Sequence, residues 1–75
     1  MDVYGYIPKI WKKYDNNDIL FLDKFETKAF TSEIMEKVDE KMPNDIDFQK
    51  IYDQHQNKEG FMHKENIDNF VMAII

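Results

Sequence analysis

His55 and His63 flank one polar stretch and are the two imidazoles of the chain. Imidazole nitrogen suits Zn²⁺ or Cu²⁺, so a two-histidine metal site is the first chemistry to weigh. A two-His site without a carboxylate third ligand at helical spacing is a weak signal. His55 reads instead as a helix-end residue and His63 as a helix-start residue. There is no cysteine, which excludes Cys-ligated zinc, iron–sulfur centres and a disulfide scaffold. No nucleophile–base pair, Gly-rich phosphate loop or matched carboxylate pair is recognisable. The chain is therefore not expected to be an enzyme, and no catalytic residue and no cofactor is expected.

Fifteen Asp and Glu stand against ten Lys, with no Arg, for a net charge of −5 over 75 residues. An acidic chain without arginine is a poor nucleic-acid binder and suits a basic partner or a cation. The longest apolar run, Phe70 to Ile75, is far too short to span a bilayer, so no membrane insertion is expected. Met1-Asp2-Val3 offers neither a basic nor an apolar leader region, and the expected location is cytoplasmic. The length allows one small domain, residues 1–75, whose single core is marginal in size. Five Met and eleven aromatics are a generous apolar supply for it.

Four helices are expected. Pro8 lacks an N–H and is accommodated best in a first turn, so the first helix should begin between Gly5 and Pro8 and run through Ile10, Trp11 and Tyr14. Ile19-Leu20-Phe21-Leu22 suits a short strand. A long helix should follow over Lys24 to Lys41, with Phe30, Ile34 and Val38 on one stripe and Thr27, Met35 and Met42 beside it. Phe25 and Ala29 fall among the acids of the other side. Pro43 should end that helix, and Asn44 or Asp45 should cap a third. Phe48, Ile51, Tyr52 and His55 follow the helical spacing. After a polar turn containing Gly60 and a second apolar step, Phe61-Met62, a fourth helix starts near Lys64. It carries Ile67, Phe70, Val71 and Ile74 on one face.

The second half repeats the first at an offset of about 40 residues. Leu22 matches Met62, Phe30 matches Phe70, and Ile34 matches Ile74. Two helix–loop–helix units in tandem resemble the EF-hand family, with hand one over residues 5–42 and hand two over 44–75. The resemblance implies an all-α lobe with a short antiparallel β-bridge between the loops, near Leu22 and Met62. It also implies twelve-residue loops with oxygen ligands at positions one, three, five, seven, nine and twelve, and glycine at six.

On that frame the first loop has Asp15 at position one, Asn17 at three, Asp23 at nine and Glu26 at twelve. Ile19 at five has no oxygen, and Leu20 stands where the turn needs a positive φ, at a cost on the order of 1–2 kcal/mol. This loop keeps most ligands and loses the turn. The second loop has Gly60 at six but His55 at one, His63 at nine and Asn66 at twelve. It keeps the turn and loses the charge. No functional metal site is expected; Asp15, Asn17, Asp23 and Glu26 are the residual candidate set for weak Ca²⁺ or Mg²⁺.

The resemblance extends to family members with dead loops that serve as light chains of myosins. It implies a calcium-independent, single-lobed light chain or adaptor, monomeric when free; the apolar positions filled in all four helices lead us to expect that packing holds it together and that it folds without metal. Its partner would be a basic amphipathic IQ-type helix of a myosin heavy-chain neck, of class I. The expected groove comprises Trp11, Phe30, Ile34, Met35, Val38, Met42, Phe48, Ile51, Phe70, Val71, Met72, Ile74 and Ile75. Glu33, Glu36, Asp39 and Glu40 form its acidic rim, and methionine suits a conforming surface. Apolar residues near both ends, Val3, Tyr4, Tyr6 and Ile7 and then Met72, Ala73 and Ile75, are expected to flank the target. The rival readings are a small calbindin-type Ca²⁺ buffer or sensor and a dimeric EF-hand adaptor joined through helices one and four.

Overall fold

Pro8 lies inside the first helix rather than at its start. The computed structural model describes residues 3–75, and α1 spans Val3–Tyr14; Met1 and Asp2 of the amino-terminal segment read above lie outside the described residues. The helix begins earlier than its sequence suggests because Val3, Ile7, Ile10 and Trp11 are all buried at helical spacing. Burial of those side chains outweighs the one backbone hydrogen bond that proline forfeits.

The chain then forms β1 (Phe21–Leu22), α2 (Lys24–Lys37), α3 (Asp45–His55), β2 (Met62–His63) and α4 (Lys64–Ile74). Helix α2 stops four residues short of the expected end. Val38 is its C-cap, and Asp39 adopts φ +57°. The Asp39 amide donates to the Glu36 carbonyl at 3.3 Å and the Glu40 amide to the Met35 carbonyl at 2.8 Å. This is a Schellman ending with aspartate in the left-handed position that glycine usually fills. Pro43 therefore follows a helix that has already been terminated. Asn44 caps α3, its side chain accepting from the Asp47 amide at 2.8 Å. His63 caps α4, its Nδ1 accepting from the Glu65 amide at 3.0 Å.

The two strands pair antiparallel, with Leu22 opposite Met62 and Phe21 opposite His63, the bridge that the family resemblance implied. Helix α1 packs on α2, α3 packs on α4, and α1 also meets α4. The two units thus share one core. Leu22 and Met62 point into it from the ladder, and both are essentially inaccessible to solvent. Phe30 and Phe70 occupy equivalent places. Trp11 and Tyr14 meet Phe30 edge-on at centroid distances of 5.9 and 6.4 Å, and Phe48, Tyr52 and His55 meet Phe70 edge-on at 5.7, 6.2 and 5.9 Å. Edge-to-face geometry sets the positive ring edge against the negative face of its neighbour.

Two threonines complete the core face of α2. Thr27 and Thr31 are fully buried. Their hydroxyls donate to the carbonyls four residues back, Asp23 and Thr27, each at 2.7 Å. The hydroxyls are therefore satisfied within the helix, and their methyl groups pack as apolar surface. No helix among the described residues is long and apolar enough to cross a membrane.

Candidate functional site

The loop between α1 and β1 is organised around Asp15. This residue is buried, and its amide donates to the Trp11 carbonyl at 2.8 Å, continuing α1 by one residue. Its carboxylate accepts the Trp11 indole N–H at 3.1 Å, the Ile19 amide at 3.0 Å and the Leu20 amide at 2.9 Å. Three N–H donors thus converge on one buried anion. Hydrogen bonds to an ionised acceptor are stronger than neutral ones, and burial reduces screening.

Those bonds restore the turn that the sequence was expected to lose. Leu20 adopts φ +70° and Asp18 φ +54°. A leucine in this region is strained, and the Asp15 carboxylate offsets the strain by holding the Ile19 and Leu20 amides. The second loop reaches a comparable turn at lower cost, since Gly60 takes φ +86°. There Asn57 Oδ1 accepts from the Glu59 and Phe61 amides at 3.0 and 2.9 Å. The Tyr52 hydroxyl donates to the Gly60 carbonyl at 2.6 Å, and Asn66 Nδ2 donates to the His55 carbonyl at 3.1 Å.

Asp23 and Glu26 of the first loop are also engaged by backbone. Asp23 is the N-cap of α2 and accepts from the Glu26 amide at 2.7 Å, while Glu26 accepts from the Asp23 amide at 3.0 Å. This reciprocal capping box satisfies two donors at the start of the helix. Asn17 is exposed. The four residues expected to form a residual cation site are thus dispersed among different tasks. Among the described residues no group of three or more His, Cys, Asp or Glu is placed to hold a metal ion. The residues do not fit Ca²⁺, which requires six to eight converging oxygens. His55 ends α3 with Nδ1 2.8 Å from the Ile51 carbonyl, and His63 opens α4, the structural places assigned to them from sequence.

The residues expected to line a groove are mostly interior. Trp11, Phe30, Ile34, Met35, Phe48, Phe70 and Val71 are buried, and Val38, Met42, Ile51 and Ile74 pack against them. Met72 and Ile75 are exposed and border an open hollow with Val3, Val38 and Glu40. Of the expected flanking residues, Val3 and Ile7 belong to the core while Tyr4 faces solvent. The rim acids divide as well. Glu36, Asp39 and Glu40 are exposed. Glu33 instead accepts the Tyr14 hydroxyl at 2.6 Å and pairs with Lys13 at 2.8 Å. The Lys13 ammonium, followed by the Tyr14 hydroxyl, holds the Glu33 carboxyl below its ordinary range. The same carboxylate pushes the Tyr14 phenol up to about 12, with burial assisting.

Sequence reasoning missed a second surface feature. Ile19, Leu20, Phe21 and Phe61 are all exposed at the loop end; Phe25, expected on the polar side of α2, is 83% exposed on its first turn. Ile19, Phe21 and Phe61 line a small hollow with Asp23 and Glu26. The apolar content of Ile19 to Leu22 was legible as a strand; that the strand is only Phe21–Leu22 and leaves its approach on the surface was not.

No protein-family model, no curated protein and no solved structure matches this chain.

Proposed function

We propose that this chain is an EF-hand-type lobe with degenerate loops, acting as a calcium-independent light chain or adaptor. Its partner is a basic amphipathic helix of IQ type, as in the neck of a class I myosin. One observation carries the reading: Asp15, Asp23 and Glu26 of the first loop each accept the protein's own N–H groups, above all Asp15, which holds those of Trp11, Ile19 and Leu20. A paired-loop scaffold held in this way requires no ion to form.

The hollow bordered by Val3, Val38, Met72 and Ile75, with Glu40 at its edge, supports a target site at the end of the helices remote from the ladder. Exposed Glu36 and Asp39 lie on the same end of α2. The acids favour encounter with a basic helix, and apolar contact supplies most of the affinity. Full engagement separates the units and uncovers Ile34, Met35 and Val71, which are buried in the free lobe.

Calorimetric titration in excess chelator with a basic IQ-type peptide tests this reading. Binding is expected, and joint substitution Met72→Ser and Ile75→Ser should weaken it more than tenfold, or about 1.4 kcal/mol, while leaving the thermal melt in place. Absence of binding, or binding that depends on Ca²⁺, refutes it.

A second reading rests on another hollow, where Tyr4, Pro8, Lys64 and Asp68 surround a floor of Ile7, Trp11 and Ile67 between α1 and α4. A dimer joined through those helices would cover it. Sedimentation of the free protein separates the two readings.

A further inference from the structure

We propose that the paired-loop end is a second docking surface, for a partner segment that sets a large apolar side chain beside lysine or arginine. This surface is independent of the hollow near Met72. Helix α1 has twelve residues, and at 1.5 Å per residue it separates the two ends by roughly 18 Å.

Three observations define the surface. First, Ile19 is 61% exposed, Leu20 40% and Phe61 41%, with Phe21 beside them. The Phe21 and Phe61 rings lie 6.4 Å apart, and Phe21 meets His63 edge-on at 4.9 Å. Single exposed apolar residues need no explanation, but contiguous ones signal an interaction site. Second, the surface is held rigidly. The Asp15 carboxylate fixes the Ile19 and Leu20 amides, the Lys64 amide donates to the Leu20 carbonyl at 3.0 Å, and the ladder fixes Phe21 against His63. Leu20 combines a left-handed backbone with an apolar side chain that is 40% exposed, so the fold gains from it neither an easy turn nor full burial.

Third, charge identifies the occupant. Asp23 and Glu26 line the same hollow as Ile19, Phe21 and Phe61. Each uses one carboxylate oxygen for the capping box, and neither belongs to an ion pair; the ion pairs among the described residues are Lys13–Glu33 and Lys28–Asp45. An apolar floor edged by two carboxylates that belong to no ion pair complements an apolar side chain flanked by cations. Anionic membrane would be repelled by these acids and by the net charge of −5. A second copy of the chain would bring the same acids into opposition.

The test follows amide chemical shifts while the blocked hexapeptide KKLFKK is added. The peptide is too short to occupy the interhelical end as an amphipathic helix. Shifts are expected at Ile19, Phe21, Glu26 and Phe61, with a dissociation constant of about 1 mM or tighter. The acidic analogue EELFEE should leave them unmoved. Ile19→Ser and Phe61→Ser should each weaken binding by about fivefold or more with the melt unchanged, and salt near 1 M should weaken the parent interaction comparably. Because Ile19 is the more exposed, it keeps the test valid if Phe61→Ser destabilises the fold. The proposal is overturned if the shifts centre on Val38 and Met72, if both peptides bind equally, or if no binding occurs. It is equally overturned if sedimentation shows self-association that Ile19→Ser abolishes, or if the protein itself, with no peptide present, cosediments with anionic vesicles and Ile19→Ser abolishes that association.

Discussion

The Tyr14 hydroxyl donates to the Glu33 carboxylate at 2.6 Å, joining the last turn of α1 to α2. The contact links the titration of the two groups to stability in opposite directions. Tyr14 is held protonated, up to about 12 in the folded state. Its contribution is fully present below pH 10, where both states are protonated, and is lost as the pH rises from about 10 to about 12. Glu33 is held ionised. Its contribution is present above the ordinary glutamate range and is lost as the pH falls through the lowered folded value. Ultraviolet titration of phenolate should show Tyr14 among the late-ionising tyrosines, and Glu33→Gln should move it back toward 10. Tyr52, raised chiefly by burial, should remain late. An unchanged profile in Glu33→Gln would contradict this assignment.

Asp15→Asn should destabilise the fold by about 2 kcal/mol, because an amide cannot accept from three converging N–H groups without turning its own donors toward them. Urea denaturation measures the loss. The Trp11 emission should also shift, since its indole N–H donates to that carboxylate. A change below about 0.5 kcal/mol would place the residue among ordinary surface substitutions instead.

Asp23→Ala removes the cap of α2 and should lower stability by about 1 kcal/mol. The loss should be equal in Ca²⁺ and in chelator. A functional site would add about 2.7 kcal/mol at a hundredfold excess over its dissociation constant, and removal of Asp23 would then cost far more with Ca²⁺ present. Glu26→Gln should change little in either condition, since glutamine can also accept the reciprocal capping bond.

Leu20→Asn should stabilise the protein. Asparagine tolerates the left-handed region, so most of the strain at φ +70° is relieved without the entropy cost of glycine. A gain near 1 kcal/mol corresponds to roughly 5 °C in Tm for a domain of this size. A drop in Tm would show that Leu20 contributes packing that its exposure does not reveal.

The helices and their pairing were written largely in local patterns. Phe30, Ile34, Ile67, Phe70 and Val71 carry the helical spacing, Asn44 caps its helix, and the 40-residue repeat matched Leu22 with Met62, which the family resemblance then set opposite one another. Such features depend on periodicity and on short polar side chains beside their own backbone, and both are visible along the chain. The end of α2 was not. Asp39 closes the helix in a left-handed turn that nothing in its residue type demands, and Pro43 offered a stronger but later stop. Thr27 was legible beside the core stripe, but Thr31 was obscure, because it becomes a core residue only once its hydroxyl finds the Thr27 carbonyl.

The role of Asp15 lies furthest from the sequence. Its place before a polar loop suggested a cation ligand, and the residue type permits that chemistry. Folding brings three N–H donors to the same carboxylate, from Trp11 one helical turn back and from Ile19 and Leu20 across the loop. Composition and spacing determined that an anion would stand there. Only the tertiary structure decided its partner, because a buried carboxylate binds whichever positive groups converge on it, and convergence is set by the path of the backbone.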